Sequence, residues 1–264
     1  MRAEAGGLDI SYERAGRGPP VALAHGFVGD AHSTWGSQIE MLADEFTVIA
    51  WDAPGAGASA TPPAGFGMDD YADCFASFLR ALGVQRAHLV GLSFGGALVL
   101  ATNHRHRELA RSLTLVGGYA GWLGSLGADE AGRRLTRSLE ASRLPADEFV
   151  AALAPSMFSP QAQGELVDRF LDSVRAVRPE GFRAMAYASF EDQSHSLSEI
   201  EVPTLLLYAE HDERAPVAVG AAMHAAVEPS ELVVLAGAGH VSPVEAPDSV
   251  NRELRRFLRS VPSQ

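Results

Sequence analysis

The feature that most constrains this chain is a series of short, uninterrupted apolar runs at residues 21–24, 46–51, 88–90, 112–116, 204–208 and 232–235. Such runs are too short to be helices of their own, and their lack of polar alternation fits strands covered on both faces. Between them lie segments of helical periodicity, among them 35–42 and 71–82, and in the second Tyr71, Phe75, Phe78, Leu79 and Leu82 share one face. This alternation predicts an α/β fold: a mostly parallel central sheet flanked by helices, with right-handed crossovers and ligand chemistry at the carboxyl ends of the strands. Residues 8–14 alternate polar and apolar side chains and read as a half-exposed edge strand, followed by a turn at 16–20.

The residues that follow each run are the second constraint. Residues 88–90 lead into Gly91-Leu92-Ser93-Phe94-Gly95-Gly96, a pattern that suits a sharp strand-to-helix turn. Small residues on either side of the serine let strand and helix approach closely and lift one hydroxyl above the sheet. Ser93 is therefore the candidate nucleophile. An uncharged serine needs a histidine to take its proton and an acid to orient that imidazole. His240 follows the run at 232–235 and a Gly237-Ala238-Gly239 turn, which places it at the sheet edge expected for Ser93. Asp212 follows the run at 204–208 and precedes His240, giving the chain order Ser, Asp, His. Glu210 would replace it only if the turn ended two residues earlier.

His25 and Asp52 also end apolar runs. Both are expected to be structural, Asp52 by binding local backbone N–H groups of its turn-rich loop. The backbone N–H groups of Phe27, beside Gly26, and of Phe94, in the first turn of the helix after Ser93, are the expected oxyanion donors.

Composition removes several alternatives. All 21 basic residues other than histidine are arginines, which excludes Schiff-base chemistry, lysine-anchored pyridoxal phosphate and a P-loop. A net charge of −12 with dispersed arginines opposes nucleic acid and anionic membrane as partners. No apolar run approaches the roughly 20 residues that span a bilayer. Residues 1–7 lack an apolar signal region, so the expected compartment is the cytoplasm. The single cysteine, Cys74, lies in the apolar stripe of 71–82 and is expected to pack rather than react. No histidine and cysteine cluster has metal-ligand spacing, and Gly55-x-Gly57 falls short of a dinucleotide fingerprint, so neither a metal nor a cofactor is implied.

The rhythm breaks between residues 119 and 199, where amphipathic segments around 131–142, 146–154, 163–177 and 181–190 replace the β-rich runs. They read as a helical cap inserted into a core of residues 1–118 and 200–264, lying as a lid over the strand ends. Trp122, Leu126, Met157, Phe158, Met185 and Tyr187 are candidate walls of a substrate pocket. Arg133, Arg134, Arg137 and Arg143 either meet a substrate carboxylate or form a solvated helix face. Residues 244–258 read as a closing helix with Val250, Leu254, Phe257 and Leu258 inward.

Taken in order, His25-Gly26-Phe27, Asp52-x-Pro54-Gly55-x-Gly57-x-Ser59, Gly91-x-Ser93-x-Gly95-Gly96, Asp212 and Gly239-His240 resemble the α/β-hydrolase superfamily over essentially the whole chain. The resemblance implies Ser93 as nucleophile, Asp212 as acid, His240 as base, the Phe27 and Phe94 amides as oxyanion hole and 119–199 as cap domain. A serine at position 93 departs from the haloalkane dehalogenases and epoxide hydrolases, whose nucleophile is an aspartate. The segment from Gly239-His240 to Glu245-Ala246-Pro247 is similar to 3-oxoadipate enol-lactonase-like and small esterase members. It lacks the tryptophan that often follows the histidine in carbon–carbon bond hydrolases of ring-cleavage products.

The expected activity is cofactor-independent hydrolysis of a small carboxylic ester or lactone, with a small-molecule substrate as the partner. Competing readings are carbon–carbon bond hydrolysis, non-hydrolytic use of the same residues (haloperoxidase, perhydrolase, cyclase or lyase) and a receptor-like small-molecule binding protein. The sequence leaves the oligomeric state open, a homodimer included.

Overall fold

The computed structural model describes residues 1–262. Strands β1 (Arg2–Ala5), β2 (Leu8–Ala15), β3 (Pro20–Ala24), β4 (Thr47–Trp51), β5 (Ala87–Leu92), β6 (Ala110–Val116), β7 (Thr204–Ala209) and β8 (Ser230–Leu235) form one sheet. Their spatial order is β1-β2-β4-β3-β5-β6-β7-β8. The pairs β1–β2 and β2–β4 are antiparallel, and every pair from β4 through to β8 is parallel. As the apolar runs require, β4, β5 and β7 are buried from end to end.

Two expectations need correcting. Residues 8–14 form an interior strand rather than an edge, because β1 pairs outside them. Arg2 and Glu4 face solvent at least in part, so β1 carries no apolar signal and is held by its backbone ladder. Conversely, β8 is the edge on the other side, with Val234 44% exposed, although its apolar run resembles that of a covered strand.

The helices are α1 (Ala31–Leu42), α2 (Met68–Ala81), α3 (Phe94–Arg105), α4 (Gly121–Leu126), α5 (Ala128–Ala141), α6 (Ala146–Leu153), α7 (Glu165–Arg175), α8 (Pro179–Phe190), α9 (Val217–Ala226), α10 (Ser242–Glu245) and α11 (Pro247–Ser260). The chain passes from β3 to β4 in one direction along the sheet, then back past β3 to β5. Right-handed crossovers therefore set α1 and α2 on opposite faces. The packing agrees: α1 meets α11, and α2 meets α3. Helix α3 is buried throughout Phe94–Asn103, as a helix apolar on all sides must be. In α11, Val250, Leu254, Phe257 and Leu258 are buried. Neither α4 nor α9 shows in the sequence pattern: α4 is short and glycine-bearing, and the alanine-rich α9 has little contrast between its faces. Among the described residues no helix is long and apolar enough to cross a membrane.

Register decides where the chemistry collects. Ala24 at the end of β3 lies beside Gly91 of β5, which lies beside Leu115 of β6, and Val116 lies beside Leu207 of β7. The carboxyl ends thus share one edge of the sheet. The chain leaves β3 one way and β5 the other, which opens a crevice between the loops that follow those two strands.

Candidate active site

Ser93 occupies the turn between β5 and α3 with φ 54 and ψ −111. Among the described residues it is the only non-glycine with positive φ. Such a conformation costs about 1–3 kcal/mol and persists only where its surroundings over-determine it. Here its N–H donates to Val116 O (2.9 Å), and its carbonyl accepts from Gly96 N (2.9 Å) and Ala97 N (3.2 Å). A Cβ on Gly91 would stand 2.0 Å from the Gly95 oxygen, and one on Gly95 would stand 2.1 Å from Ala24 O. The spacing of glycines around the serine is therefore a steric condition for the turn. Ser93 is 5% exposed.

His240, in the loop after β8, and Asp212, in the loop after β7, meet beneath this edge. Asp212 Oδ2 accepts from His240 Nδ1 at 2.8 Å, and both residues are buried. The other carboxylate oxygen, Oδ1, accepts from the backbone N–H groups of Arg214 and Ala215, each at 2.8 Å. Both oxygens are thus committed, and the carboxylate is held rigidly against the imidazole. Gly117, after β6, supplies the room: a Cβ there would lie 2.9 Å from Asp212 Oδ2 and 3.2 Å from His240 Nδ1. Glu210 points elsewhere and accepts from Gly237 N at 2.9 Å, bracing the loop after β8.

The β3 loop faces Ser93 across the crevice. His25 is buried and bound at both nitrogens, Nδ1 to Gly26 O (2.6 Å) and Nε2 to Ala53 N (2.9 Å). Since Nε2 must accept from Ala53, Nδ1 carries the proton and the ring is neutral. Burial lowers its pKa from the usual value, against an opposite pull from Asp52. Asp52 Oδ1 accepts from Ala31 N (2.9 Å) and Oδ2 from Ala58 N (3.0 Å). Both residues tie loops together. They leave the backbone N–H groups of Phe27 and Phe94 without a hydrogen-bond partner among the described residues, although both residues are buried. Unengaged buried donors are rare.

The expected pocket residues divide. Trp122 is buried and packs edge-on against Phe27, ring centroids 6.1 Å apart. Met185 is buried beside a cavity that Phe27 also lines. Met157 is buried and its carbonyl accepts from Val241 N (2.9 Å), so it anchors the segment after His240. Phe158 packs on Phe170 and lines a surface cavity with Asp212, while Leu126 is partly buried against the general core. Tyr187 departs from expectation: it is 52% exposed, because two residues along α8 from Met185 turn the side chain away from it. Of the arginines singled out between 133 and 143, Arg134 and Arg137 line a cleft and Arg133 pairs with Glu130 on the surface. Cys74 is buried, and burial pushes its thiol up to about 12.

Residues with no local sequence signal also shape the site. Tyr119 donates to Arg214 O and accepts from Arg134 Nη1 (2.7 Å). Glu245 accepts from Gly239 N (2.9 Å) and from Ser159 N (3.1 Å) and Oγ. Each joins segments that only the folded chain brings together.

A strained serine, a buried Asp–His pair and two unengaged amides thus lie at the carboxyl edge of a mostly parallel sheet. Residues 19–247 match the family described as alpha/beta hydrolase fold, and the chain belongs to it. It is 32% identical, over 98% of its length, to the dihydrolipoyllysine-residue acetyltransferase component of the acetoin cleaving system of Pseudomonas putida, of which it covers 69%. It is 29% identical, over 90% of its length, to a putative carbamate hydrolase RutD of Pantoea ananatis, of which it covers 88%. Among solved structures, a thermophilic esterase from Thermogutta terrifontis, with malate bound, matches at TM-score 0.91 and 29% identity, with 100% of both chains covered. The protein is an enzyme of the α/β-hydrolase superfamily, and hydrolases are among its relatives.

Proposed function

We propose that the protein hydrolyses a small carboxylic ester or lactone through Ser93, His240 and Asp212. The observation that carries this reading is the buried 2.8 Å hydrogen bond between His240 and Asp212 at the edge that also presents the strained Ser93 turn. With Asp212 as acceptor, the proton sits on Nδ1 and Nε2 is left as the base. Ser93 Oγ bonds to the substrate carbonyl carbon while its proton passes to His240 Nε2. Negative charge gathers on the carbonyl oxygen, and the Phe27 and Phe94 amides stabilise it. Loss of one such donor costs about 3 kcal/mol of transition-state stabilisation. The carbon–oxygen bond to the leaving alcohol then breaks, and His240 returns its proton to that oxygen. Water attacks the acyl-enzyme in the same way, releasing the acid and restoring Ser93. Descriptions of the relatives as an esterase and a putative carbamate hydrolase support a reaction at a carbonyl of this kind.

The test combines a fluorophosphonate probe with para-nitrophenyl acetate turnover. The wild type is expected to be labelled on Ser93, and Ser93→Ala to escape labelling and lose at least about 10³-fold in turnover. Labelling at another residue, or wild-type turnover by Ser93→Ala, overturns the reading.

A further inference from the structure

Arg214 follows the candidate acid by two residues and leaves the triad towards the cap. Its backbone N–H donates to Asp212 Oδ1 (2.8 Å), and its carbonyl accepts from Tyr119. Its guanidinium carbon stands 5.6 Å from the centroid of the Phe27 ring, and Nε donates to Ser156 Oγ (3.0 Å). The cation therefore rests on the residue whose amide is the candidate oxyanion donor. Among the described residues no carboxylate forms an ion pair with it.

Several other arginines are paired instead. Arg105, Arg134, Arg175, Arg255, Arg256 and Arg259 all pair with carboxylates, most of them at exposed sites where a pair contributes little. Arg214 is half-buried, and a partly desolvated guanidinium without an ion pair costs more than an exposed one. Burial accordingly holds the Arg214 pKa below the usual arginine value. Asp212, whose charge acts on Arg214, has both oxygens committed to His240 and to backbone donors.

Arg214 also opens onto a cleft of about 640 Å³ between α4, α5, α6 and the loop after β7. Trp122, Arg134, Ser138 and Ser156 line it too, and Arg137, Glu140 and Glu213 are exposed around it. Glu130 is engaged by Arg133 and Arg134. The floor thus offers a guanidinium outside any ion pair and the hydroxyl of Ser138, while the rim carries Glu140 and Glu213 together with Arg137. The acids at the rim repel a dianion more than a carboxylate, so the arrangement suits a monoanion.

We propose that Arg214 is the specificity-determining residue of a carboxylate subsite, so that the ester or lactone cleaved at Ser93 carries a free carboxylate that binds in this cleft. The proposal rests on the hydrolase reading for the reaction, but not for the binding.

The experiment compares mono(para-nitrophenyl) succinate with para-nitrophenyl butyrate, an acidic and a neutral ester of similar size. Arg214→Gln is expected to lower the ratio of kcat/KM for the acidic over the neutral ester by about tenfold or more, mainly through KM, and Arg214→Lys to recover part of it. A ratio unchanged within about twofold, with both esters affected alike, makes Arg214 a cap tether and overturns the proposal. If neither ester is cleaved, the hydrolase reading fails separately, and binding decides the subsite. Monomethyl succinate should then bind Ser93→Ala saturably by calorimetry, and not Ser93→Ala/Arg214→Gln. Binding indifferent to Arg214, or weaker than that of inorganic phosphate, overturns the proposal.

Discussion

At the scale of single residues, three histidines with the same burial have different tasks because their ring nitrogens meet different partners. His25 lies between a carbonyl and an amide, His240 faces Asp212, and His88 in β5 meets Ser112 Oγ at 2.7 Å with the Phe46 ring edge-on. Burial lowers the His88 pKa to about 4, helped by the charges of Arg111 and Arg86. In the unfolded chain a histidine titrates near ~6.5. The folded state therefore favours neutral His88: its contribution is fully present above the unfolded value and is lost as pH falls through the folded one. The full shift corresponds to on the order of 3 kcal/mol. Urea unfolding at pH 7 and at pH 4.5 should show the wild type losing stability on acidification, and His88→Gln losing less by about 2 kcal/mol. An equal loss in both proteins would rule out His88 as a source of acid sensitivity. His25, lowered by the same cause, acts in the same direction.

At the scale of elements, α10 matters more than its four residues suggest. Glu245 at its end binds Gly239 N and Ser159 N, while Val241 N binds Met157 O, so the loop bearing His240 is clamped to the segment after α6. Glu245→Gln replaces an acceptor of several N–H groups with a side chain that is itself partly a donor. It is expected to cost about 2 kcal/mol, and to lower kcat by about tenfold as His240 loses its anchor, with Glu245→Asp recovering part. A lowered Tm with kcat unmoved would reduce Glu245 to a structural tie. This clamp also marks where the sequence stops being legible. The buried parallel strands announce themselves as apolar runs, and Ser93, Asp212 and His240 can be picked out because each follows one, beside a turn. The polar β1 and the low-contrast α9 lack that signal. Glu245 and Ser159 are 86 residues apart, and Tyr119 and Arg214 are 95 apart. No local pattern encodes those contacts, since they exist only once the cap helices have docked.

At the scale of the molecule, that docking decides whether α4–α8, between β6 and β7, behave as a separate body, the cap that the sequence leads one to expect. Phe27 from the β3 loop stacks on Phe182 of α8 (4.9 Å) and meets Trp122 of α4, and Phe182 meets Phe149 of α6 (5.0 Å). The buried apolar cluster runs without a break from the sheet into α4–α8. Polar ties reinforce it: Arg178 donates to Ser59 O (2.6 Å) and Thr61 Oγ1 (3.0 Å), and Met68 N donates to Glu191 (3.0 Å). The backbones of Gly55 and Gly181 approach so closely that a Cβ on Gly55 would lie 2.5 Å from Gly181 Cα. Helices that share their only apolar interior with the sheet have little to hold them once the sheet melts, so cap and core are expected to unfold in one cooperative transition. The tryptophans allow this to be measured, because Trp35 and Trp51 lie in the core and Trp122 in α4. In a Trp35→Phe/Trp51→Phe protein, fluorescence reports the cap alone while far-ultraviolet circular dichroism reports the whole chain. The two midpoints should coincide on heating, and Phe182→Ala, which opens the shared stack at a cost of about 3–5 kcal/mol, should lower both together. Trp122 fluorescence changing several degrees before the dichroism would instead establish a cap that opens on its own. The carboxylate subsite at Arg214 would then form only when the cap closes.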